Sequence, residues 1–252
     1  MLKNKSLGPQ ALFAGLTALI AAGLIFSSLT KKPKIAEAKK RKTSHIYLDD
    51  RLVRVYWPDG DTFRILGGSK RRRVSARLNG YNTLENYGPV HKWGKWNHWH
   101  LMNVGNKASK VARSKKWRCK KLPGSGGYGR ILADCHGLAK ALISKGLAHV
   151  YSVKGSGNAE LLKLQKIAQK KRRGIWAKGT PKFITTSLHS SRGIKKAYNR
   201  LISSKTGASK KHFHTKRFRS CQWICPKDAS CMLYVPYKKR YGYRRASCLR
   251  RR

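Results

Sequence analysis

Two short blocks of the sequence combine the residue types that phosphate chemistry requires. The first is Asp59-Gly60-Asp61-Thr62, and the second runs from Arg77 to Glu85 and includes Asn82 and Thr83. Only 9 of the 252 residues are acidic, against 58 Lys and Arg, yet three of the nine lie in these blocks. Carboxylates kept beside arginines suit a hard metal ion next to a phosphate held by guanidinium groups. The alternative is that Asp-Gly forms a turn and that Glu85 is an isolated surface acid.

The chemistry that such a set can perform is phosphodiester hydrolysis. This reaction needs an activated water, charge stabilisation on a five-coordinate phosphorus, and assistance to the leaving oxygen. A carboxylate can act as general base for the water. Two guanidinium groups can hold phosphate oxygens bidentately, which the point charge of lysine does less well. A calcium ion bound through oxygens adds Lewis-acid stabilisation. The two blocks, together with Arg130, supply all of these groups.

The blocks resemble the staphylococcal-nuclease (thermonuclease) family over roughly residues 50–178. Asp61 is similar to that family's first metal carboxylate. Arg77 and Glu85, eight residues apart, are similar to its arginine and general base, and Arg130 falls where the family has its second arginine. The resemblance implies two sets of site residues: catalytic Arg77, Glu85 and Arg130, and calcium-binding Asp61, Asn82 and Thr83.

One position departs from the family pattern in a way that affects the metal. The family's second metal carboxylate lies just before the threonine, where this chain has Asn82. An amide can still offer its carbonyl oxygen to calcium, but one negative charge is missing. We therefore expect weaker metal binding, with activity reduced or dependent on another ligand, and loss of catalysis as the alternative. The family's usual proline after the threonine is Leu84 here.

The resemblance implies an exported calcium-dependent nuclease that hydrolyses phosphodiester bonds of DNA or RNA, with endonuclease activity expected. The alternative is a catalytically weakened nuclease-like protein that binds nucleic acid without cutting it. The net charge of +49 favours polyanionic partners in either case, whether nucleic acid, anionic lipid or acidic polymer. A cationic membrane-active protein would explain the charge but not the two blocks. The sequence leaves the oligomeric state open.

The hydrophobic pattern predicts an α+β, mainly β fold: a five-stranded antiparallel OB-type barrel with about three helices, followed by a basic Cys-rich extension. In the strand around Arg77, alternation places Arg77 on the face opposite the apolar residues. Residues 138–151 and 159–176 are similar to the last two helices of the staphylococcal-nuclease family. The predicted strands cover 52–57, 62–66, 74–78, 117–121 and 130–135, and the predicted helices cover 101–111, 138–145 and a segment from Asn158 that ends at Gly174.

Three regions are predicted along the chain: residues 1–44, a signal peptide or membrane anchor with a basic linker; residues 45–180, the barrel domain; and residues 181–252, the extension. Residues 11–29 are mostly apolar, as in a signal peptide or a membrane tether. Three lysines that follow argue against export by the positive-inside rule, whereas six cysteines argue for an oxidising compartment. The sequence favours export and leaves open whether the segment is cleaved or retained.

The cysteines fall into two groups. Cys119 and Cys135 lie in predicted strands that can be neighbours, so a disulfide between them is expected. The other four allow two further disulfides in three pairings, or a zinc site with His212 and His214. Their spacing is a poor match to a zinc finger, which favours disulfides. These four are Cys221, Cys225, Cys231 and Cys248.

Two aromatic segments have more than one interpretation. The loop after Glu85 contains three histidines and three tryptophans that could stack on bases or provide a metal ligand. The interpretation we favour is a solvated loop with some aromatics packed on the barrel. The tract 234–245 interleaves tyrosine with Lys and Arg, so it either binds nucleic acid or only stabilises the extension. The loop residues are His91, Trp93, Trp96, His98, Trp99 and His100.

Overall fold

The structure is a computed structural model, and it describes residues 42–67, 74–86, 90–191, 193 and 195–250. This part of the chain contains three α-helices and fourteen strands. The helices are α1 (His98–Arg113), α2 (His136–Ser144) and α3 (Ala159–Lys170). The strands are β1 (Thr43–Leu48), β2 (Arg51–Tyr56), β3 (Thr62–Ile65), β4 (Ser75–Leu78), β5 (Tyr81–Thr83), β6 (His91–Lys92), β7 (Arg118–Ser125), β8 (Ile131–Asp134), β9 (Ala148–Val150), β10 (Phe183–Ser187), β11 (Ala197–Ser203), β12 (Ser209–His214), β13 (Gln222–Ile224) and β14 (Cys231–Tyr234).

Six strands close a barrel in the order β1-β2-β3-β4-β8-β7. The mainly β, OB-type prediction is confirmed, but the expected count of five strands is wrong because β1 was missed. In β1 only Ile46 is fully buried, so the strand lacks the alternation that identified the others. It joins β2 through Asp49 and Asp50, both with positive φ, which is the two-residue hairpin turn that suits twisted strands.

The barrel is mixed rather than antiparallel. β4 pairs with β8 in parallel, and β1 pairs with β7 in parallel. Between β4 and the hairpin of β7 and β8 the chain passes through α1, and a parallel pairing requires such a crossover connection. The antiparallel expectation was wrong because strand periodicity carries no information about strand direction.

The core lies inside the barrel and under the helices. The rings of Trp57 and Phe63 meet edge to face at 5.4 Å, and both are fully buried. Asn97 caps α1 by accepting hydrogen bonds from the amides of Trp99 and His100. Asn158 caps α3 as predicted, although α3 ends at Lys170 rather than at Gly174. Strand β5 follows β4 along the chain and pairs with β9 in a separate two-stranded sheet.

The extension folds against the barrel domain instead of forming a separate tail. Strands β10, β11 and β12 form one sheet, and β13 and β14 form another with β6 of the barrel domain. A second apolar cluster joins the two parts: Val90 and Met102 of the barrel domain pack with Leu233, Val235 and Leu249 of the extension. The predicted boundary near residue 180 therefore separates two parts that share a sheet and a small core.

Three disulfides are present, and the described residues include no free cysteine. The predicted bond between Cys119 and Cys135 is confirmed. The extension adopts one of the three pairings left open, and the zinc alternative is wrong because all four of its cysteines are oxidised. Disulfides persist in oxidising compartments, which indicates an extracellular or otherwise exported protein. The two bonds of the extension are Cys221–Cys248 and Cys225–Cys231.

The described residues contain no helix long and apolar enough to cross a membrane. The apolar segment 11–29, for which a signal peptide or membrane tether was predicted, lies outside these residues.

Candidate active site

All six predicted site residues border a single cavity of about 560 Å³. The neighbouring barrel strands β3 and β4 and the strand β5 bring most of them together. Thr62 at the start of β3 is the register partner of Arg77 on β4, so Asp61 lies beside Arg77. Strand β5 follows β4 after a short turn. The six residues are Asp61, Arg77, Asn82, Thr83, Glu85 and Arg130.

The Asp61 carboxylate is buried and held from two sides. It is 5% exposed and forms an ion pair with Arg77 Nη1. Its Oδ2 accepts a hydrogen bond from the Thr83 amide at 2.7 Å and one from Thr83 Oγ1 at 3.2 Å. Its Oδ1 accepts from Thr62 Oγ1 at 3.1 Å. Hydrogen bonds to the charged form hold the carboxylate in one orientation at the cavity wall.

Asn82 lines this cavity and carries a buried, unsatisfied oxygen. Its side chain is buried on β5, and within the described residues no donor reaches its Oδ1. Next to it, Thr83 Oγ1 accepts a hydrogen bond from the Gly60 amide at 3.2 Å. A Cβ on Gly60 would lie 2.6 Å from Thr83 Cγ2, so only glycine leaves room for the Thr83 side chain here. A buried acceptor without a partner is costly, and at a cavity wall a bound cation or ligand can satisfy it.

Arg130 is positioned by its own turn. Its Nε donates to the Gly127 carbonyl oxygen at 3.0 Å, and its Nη2 donates to the Gly126 carbonyl oxygen at 2.8 Å. Gly126 also lies against Arg77, where a Cβ would come within 2.6 Å of the Arg77 Cβ. Burial and then the positive charge of Arg77 lower the pKa of Arg130, which shows that the two guanidinium groups share one environment. Both arginines stay charged at neutral pH.

Asp61 raises the pKa of two neighbouring carboxyls, Asp59 and Glu85. Burial, followed by the charges of Asp61 and Glu85, raises the pKa of Asp59 well above its usual value. Burial and then Asp61 raise the pKa of Glu85, while Arg240, Arg77 and Arg130 oppose that rise. Asp59 was not among the predicted site residues, although the Asp-Gly-Asp spacing already placed it next to Asp61. A bound cation would relieve the repulsion among these carboxylates.

Two buried histidines also border the cavity. Burial lowers the pKa of His91 to about 3, with a further contribution from His149. Burial lowers the pKa of His149 to about 4. Both imidazoles are therefore neutral near pH 7, and within the described residues His91 Nδ1 and His149 Nε2 lack a hydrogen-bond partner. His149 is the register partner of Asn82 across β5 and β9, so two of the residues with an unsatisfied polar atom are neighbours on these strands.

The loop after Glu85 is partly exposed, at Lys92, Gly94, Lys95 and Asn97, and partly packed. His91 lies buried in β6, which corrects the expectation of a solvated loop at that residue. The expectation that some aromatics pack on the barrel is confirmed. Trp93 Nε1 donates to the Gly179 carbonyl oxygen at 3.0 Å, and Trp96 Nε1 donates to the Ile175 carbonyl oxygen at 2.9 Å.

The donor set at Asp61 suits calcium better than a softer metal. No group of three or more His, Cys, Asp or Glu in the described residues is arranged to hold a metal ion by itself. A metal at Asp61 would therefore also need the Asn82 amide oxygen and the Thr83 carbonyl oxygen. Oxygen-only coordination is typical of Ca²⁺. The unsatisfied Asn82 Oδ1 and the mutually repelling carboxylates both fit a bound cation.

Comparison with known protein families agrees with this geometry. Residues 75–178 match the family model described as staphylococcal nuclease homologue. The chain contains a staphylococcal-nuclease-like domain. A search of curated proteins finds no match. The matched segment of this staphylococcal-nuclease-like domain includes every predicted site residue except Asp61, which lies before it.

The extension forms one wall of the cavity in this staphylococcal-nuclease-like protein. Arg200 Nη1 donates to the Tyr151 hydroxyl at 2.6 Å, and the Arg77 guanidinium lies 6.0 Å from the Tyr151 ring centroid. Sequence reasoning missed the residues that the extension contributes to this wall, because they are more than a hundred positions away from the two blocks. The wall residues from the extension are Thr186, Ser187, His189, Tyr198, Arg200 and Arg240.

Proposed function

We propose that this protein is an exported calcium-dependent nuclease that hydrolyses phosphodiester bonds within DNA or RNA strands. The observation that supports this most is the convergence of Glu85, Arg77 and Arg130 on one cavity. The staphylococcal-nuclease family is generally calcium-dependent, and its domain indicates a nuclease-like protein. Three disulfides support export.

In the proposed reaction Glu85 takes a proton from the attacking water. The oxygen of that water forms a bond to phosphorus, the bond from phosphorus to the leaving oxygen breaks, and the leaving oxygen takes a proton from solvent water. Arg77 and Arg130 donate N–H groups to the phosphate oxygens, on which negative charge accumulates in the transition state. Their fixed positions matter because donors held in place before the reaction need no reorganisation during it.

Asp61, Asn82 and Thr83 are the residues that would hold Ca²⁺. When bound, this ion supplies Lewis-acid stabilisation of the phosphoryl oxygens. The Asp61 carboxylate already accepts from Thr62 and Thr83 and pairs with Arg77, so calcium binding would displace at least one of these donors. The missing carboxylate at Asn82 predicts weak affinity.

The second candidate function is nucleic-acid binding without cleavage. Asn82 favours it, because a site with one carboxylate fewer holds calcium less tightly. The surface charge would still attract nucleic acid by counterion release. Retention of all three catalytic groups in one cavity favours the nuclease over this alternative.

A digestion assay separates the two functions. Closed circular plasmid and a structured RNA are incubated with calcium and, in parallel, with chelator. Nicking of the circular DNA, which has no ends, would support endonuclease activity, and its loss with chelator would support calcium dependence. Binding of either nucleic acid with no cleavage in calcium would support the alternative.

Asn82→Asp should tighten calcium binding on the order of tenfold or more, because it adds a negative charge to an oxygen-ligand site. Calcium is titrated into each variant, and its affinity is measured both by calorimetry and from the cleavage rate. Asn97→Asp is the matched control, since it adds the same charge on α1 and an aspartate still caps that helix. Equal calcium affinity in the two variants would show that residue 82 does not reach the metal.

In the calcium-free protein the Glu85 carboxyl should titrate above the ordinary glutamate value of 4.5, because burial and Asp61 raise its pKa. The base works only when deprotonated, so activity is present above its pKa and lost as pH falls through it. A cation beside Asp61 opposes this rise, so the pKa is measured in the calcium-free protein by an NMR titration of the Glu85 side chain. A midpoint at or below the ordinary value would contradict the buried, charged environment assigned to Glu85.

A further inference from the structure

Arg240 occupies a position in the site that its place in the sequence does not suggest. It belongs to the extension, beyond the segment that matches the family model. It borders the cavity that contains Arg77, Arg130 and Glu85. It also borders an adjacent cavity of about 520 Å³, together with Glu85 and Arg130 again. These three residues therefore lie at the junction of the two cavities.

The backbone around Arg240 is fixed. Its Nε donates to the Val235 carbonyl oxygen at 2.9 Å. Val235 is fully buried in the second apolar cluster, against side chains of the barrel domain. The amide of Ala246 donates to the Lys239 carbonyl oxygen at 2.9 Å and so closes the segment into a loop. The disulfide between Cys221 and Cys248 ties the end of this loop back to the extension.

The guanidinium of Arg240 has donors to offer a ligand. Within the described residues its Nε makes the hydrogen bond just given, and no carboxylate lies within ion-pair distance of it. By contrast, Arg77 is engaged by Asp61, and Arg130 is engaged by two backbone carbonyl oxygens. A half-buried cation with free N–H groups at a cavity wall suits a phosphate, which accepts hydrogen bonds from a guanidinium in pairs.

We propose that Arg240 is a third phosphate-binding arginine, supplied by the extension, and that it holds the phosphate under attack. This inference rests on the proposed nuclease function. Two connected cavities provide a path for a nucleic-acid strand, and Glu85 lies where they meet. A phosphate within reach of Glu85 at that junction is bordered by Arg130 on the barrel and by Arg240 on the extension. The extension thereby completes the active site.

Arg240→Gln should lower kcat about 10²-fold, the usual cost of removing one donor to transition-state charge. Arg240→Lys should lie between this variant and the wild type, since lysine keeps the charge but loses the bidentate fork. The matched control is Arg244→Gln, because Arg244 is exposed, carries the same charge and borders neither cavity. The measurements are kcat and KM on a single-stranded oligonucleotide with calcium, and affinity for the same oligonucleotide with chelator.

Weaker binding and a selective loss of kcat in Arg240→Gln, with little change in Arg244→Gln, would support the proposal. Equal effects of the two variants on kcat and affinity would overturn it. Weaker binding with unchanged kcat would also overturn it, since Arg240 would then hold a phosphate away from the reaction. If Arg240→Gln fails to fold, as judged by circular dichroism, the comparison of Arg240→Lys with Arg244→Lys decides by the same criteria.

The proposed function can fail separately. If the wild-type protein cleaves neither DNA nor RNA in calcium, the nuclease assignment fails. In that case the affinity measurements with chelator show whether Arg240 binds phosphate. A loss specific to Arg240→Gln would keep it as a phosphate-binding residue of a binding site. No difference from Arg244→Gln would remove it from that role as well.

Discussion

Glu85→Gln should lower turnover by about 10²–10⁴-fold while the fold and nucleic-acid binding persist, because only the proton acceptor is lost. Glutamine has nearly the same shape as glutamate, so the cavity should keep its form. Burial and Asp61 already disfavour the charged form of Glu85, and removal of that charge should leave the melting temperature equal or higher. The measurements are kcat in calcium, thermal unfolding, and oligonucleotide affinity with chelator.

The matched control for this variant is Glu160→Gln. Glu160 is an exposed residue on α3 that pairs with Lys140 and His136, and it does not border the cavity. The same chemical change there should alter turnover little. Cleavage by Glu85→Gln at the wild-type rate would remove Glu85 from the role of base. Loss of binding together with cleavage would instead indicate that Glu85 supports the structure of the site.

The core of the candidate site could be predicted because its members are close in sequence. Arg77 and Glu85 are separated by one turn and the short strand β5, so local geometry alone brings them to the same end of the barrel. The position of Asp61 beside Arg77 could also be predicted, because β3 and β4 are antiparallel neighbours. Arg130 needed the family resemblance, since it reaches the site through the parallel pairing of β4 with β8.

The contribution of the extension could not be predicted in the same way. The extension contains apolar residues, but their pattern gave no indication of what they pack against. Docking depends on β14 pairing with β6 and on Val235 and Leu249 entering a cluster with Met102 of α1. Such long-range pairings leave no periodic signal in either segment. Arg240 was therefore noted only as part of an aromatic and basic tract.

Arg77→Met should destabilise the protein strongly in the absence of calcium. The change removes the partner of Asp61 and leaves a carboxylate that is only 5% exposed without its ion pair. Breaking a buried pair in this way costs about 3–5 kcal/mol. The hydrogen bonds from Thr83 to Asp61 remain, so we expect a cost at the lower end of this range. For a protein of this size a loss of about 3 kcal/mol corresponds to about 6–12 °C in melting temperature.

Arg118→Met supplies the matched control, since Arg118 pairs with Asp50 on the surface and both side chains are largely exposed. Exposed pairs contribute about 0–1 kcal/mol, so the melting temperature of this variant should change little.

Calcium should restore part of the stability of Arg77→Met, because a cation beside Asp61 replaces the lost positive charge. Calcium should not affect the stability of Arg118→Met. Cleavage by Arg77→Met should remain about 10²–10³-fold below the wild type even in calcium, because a donor to the phosphate is gone. Equal melting temperatures for the two variants would show that the pair of Arg77 and Asp61 is not buried in solution.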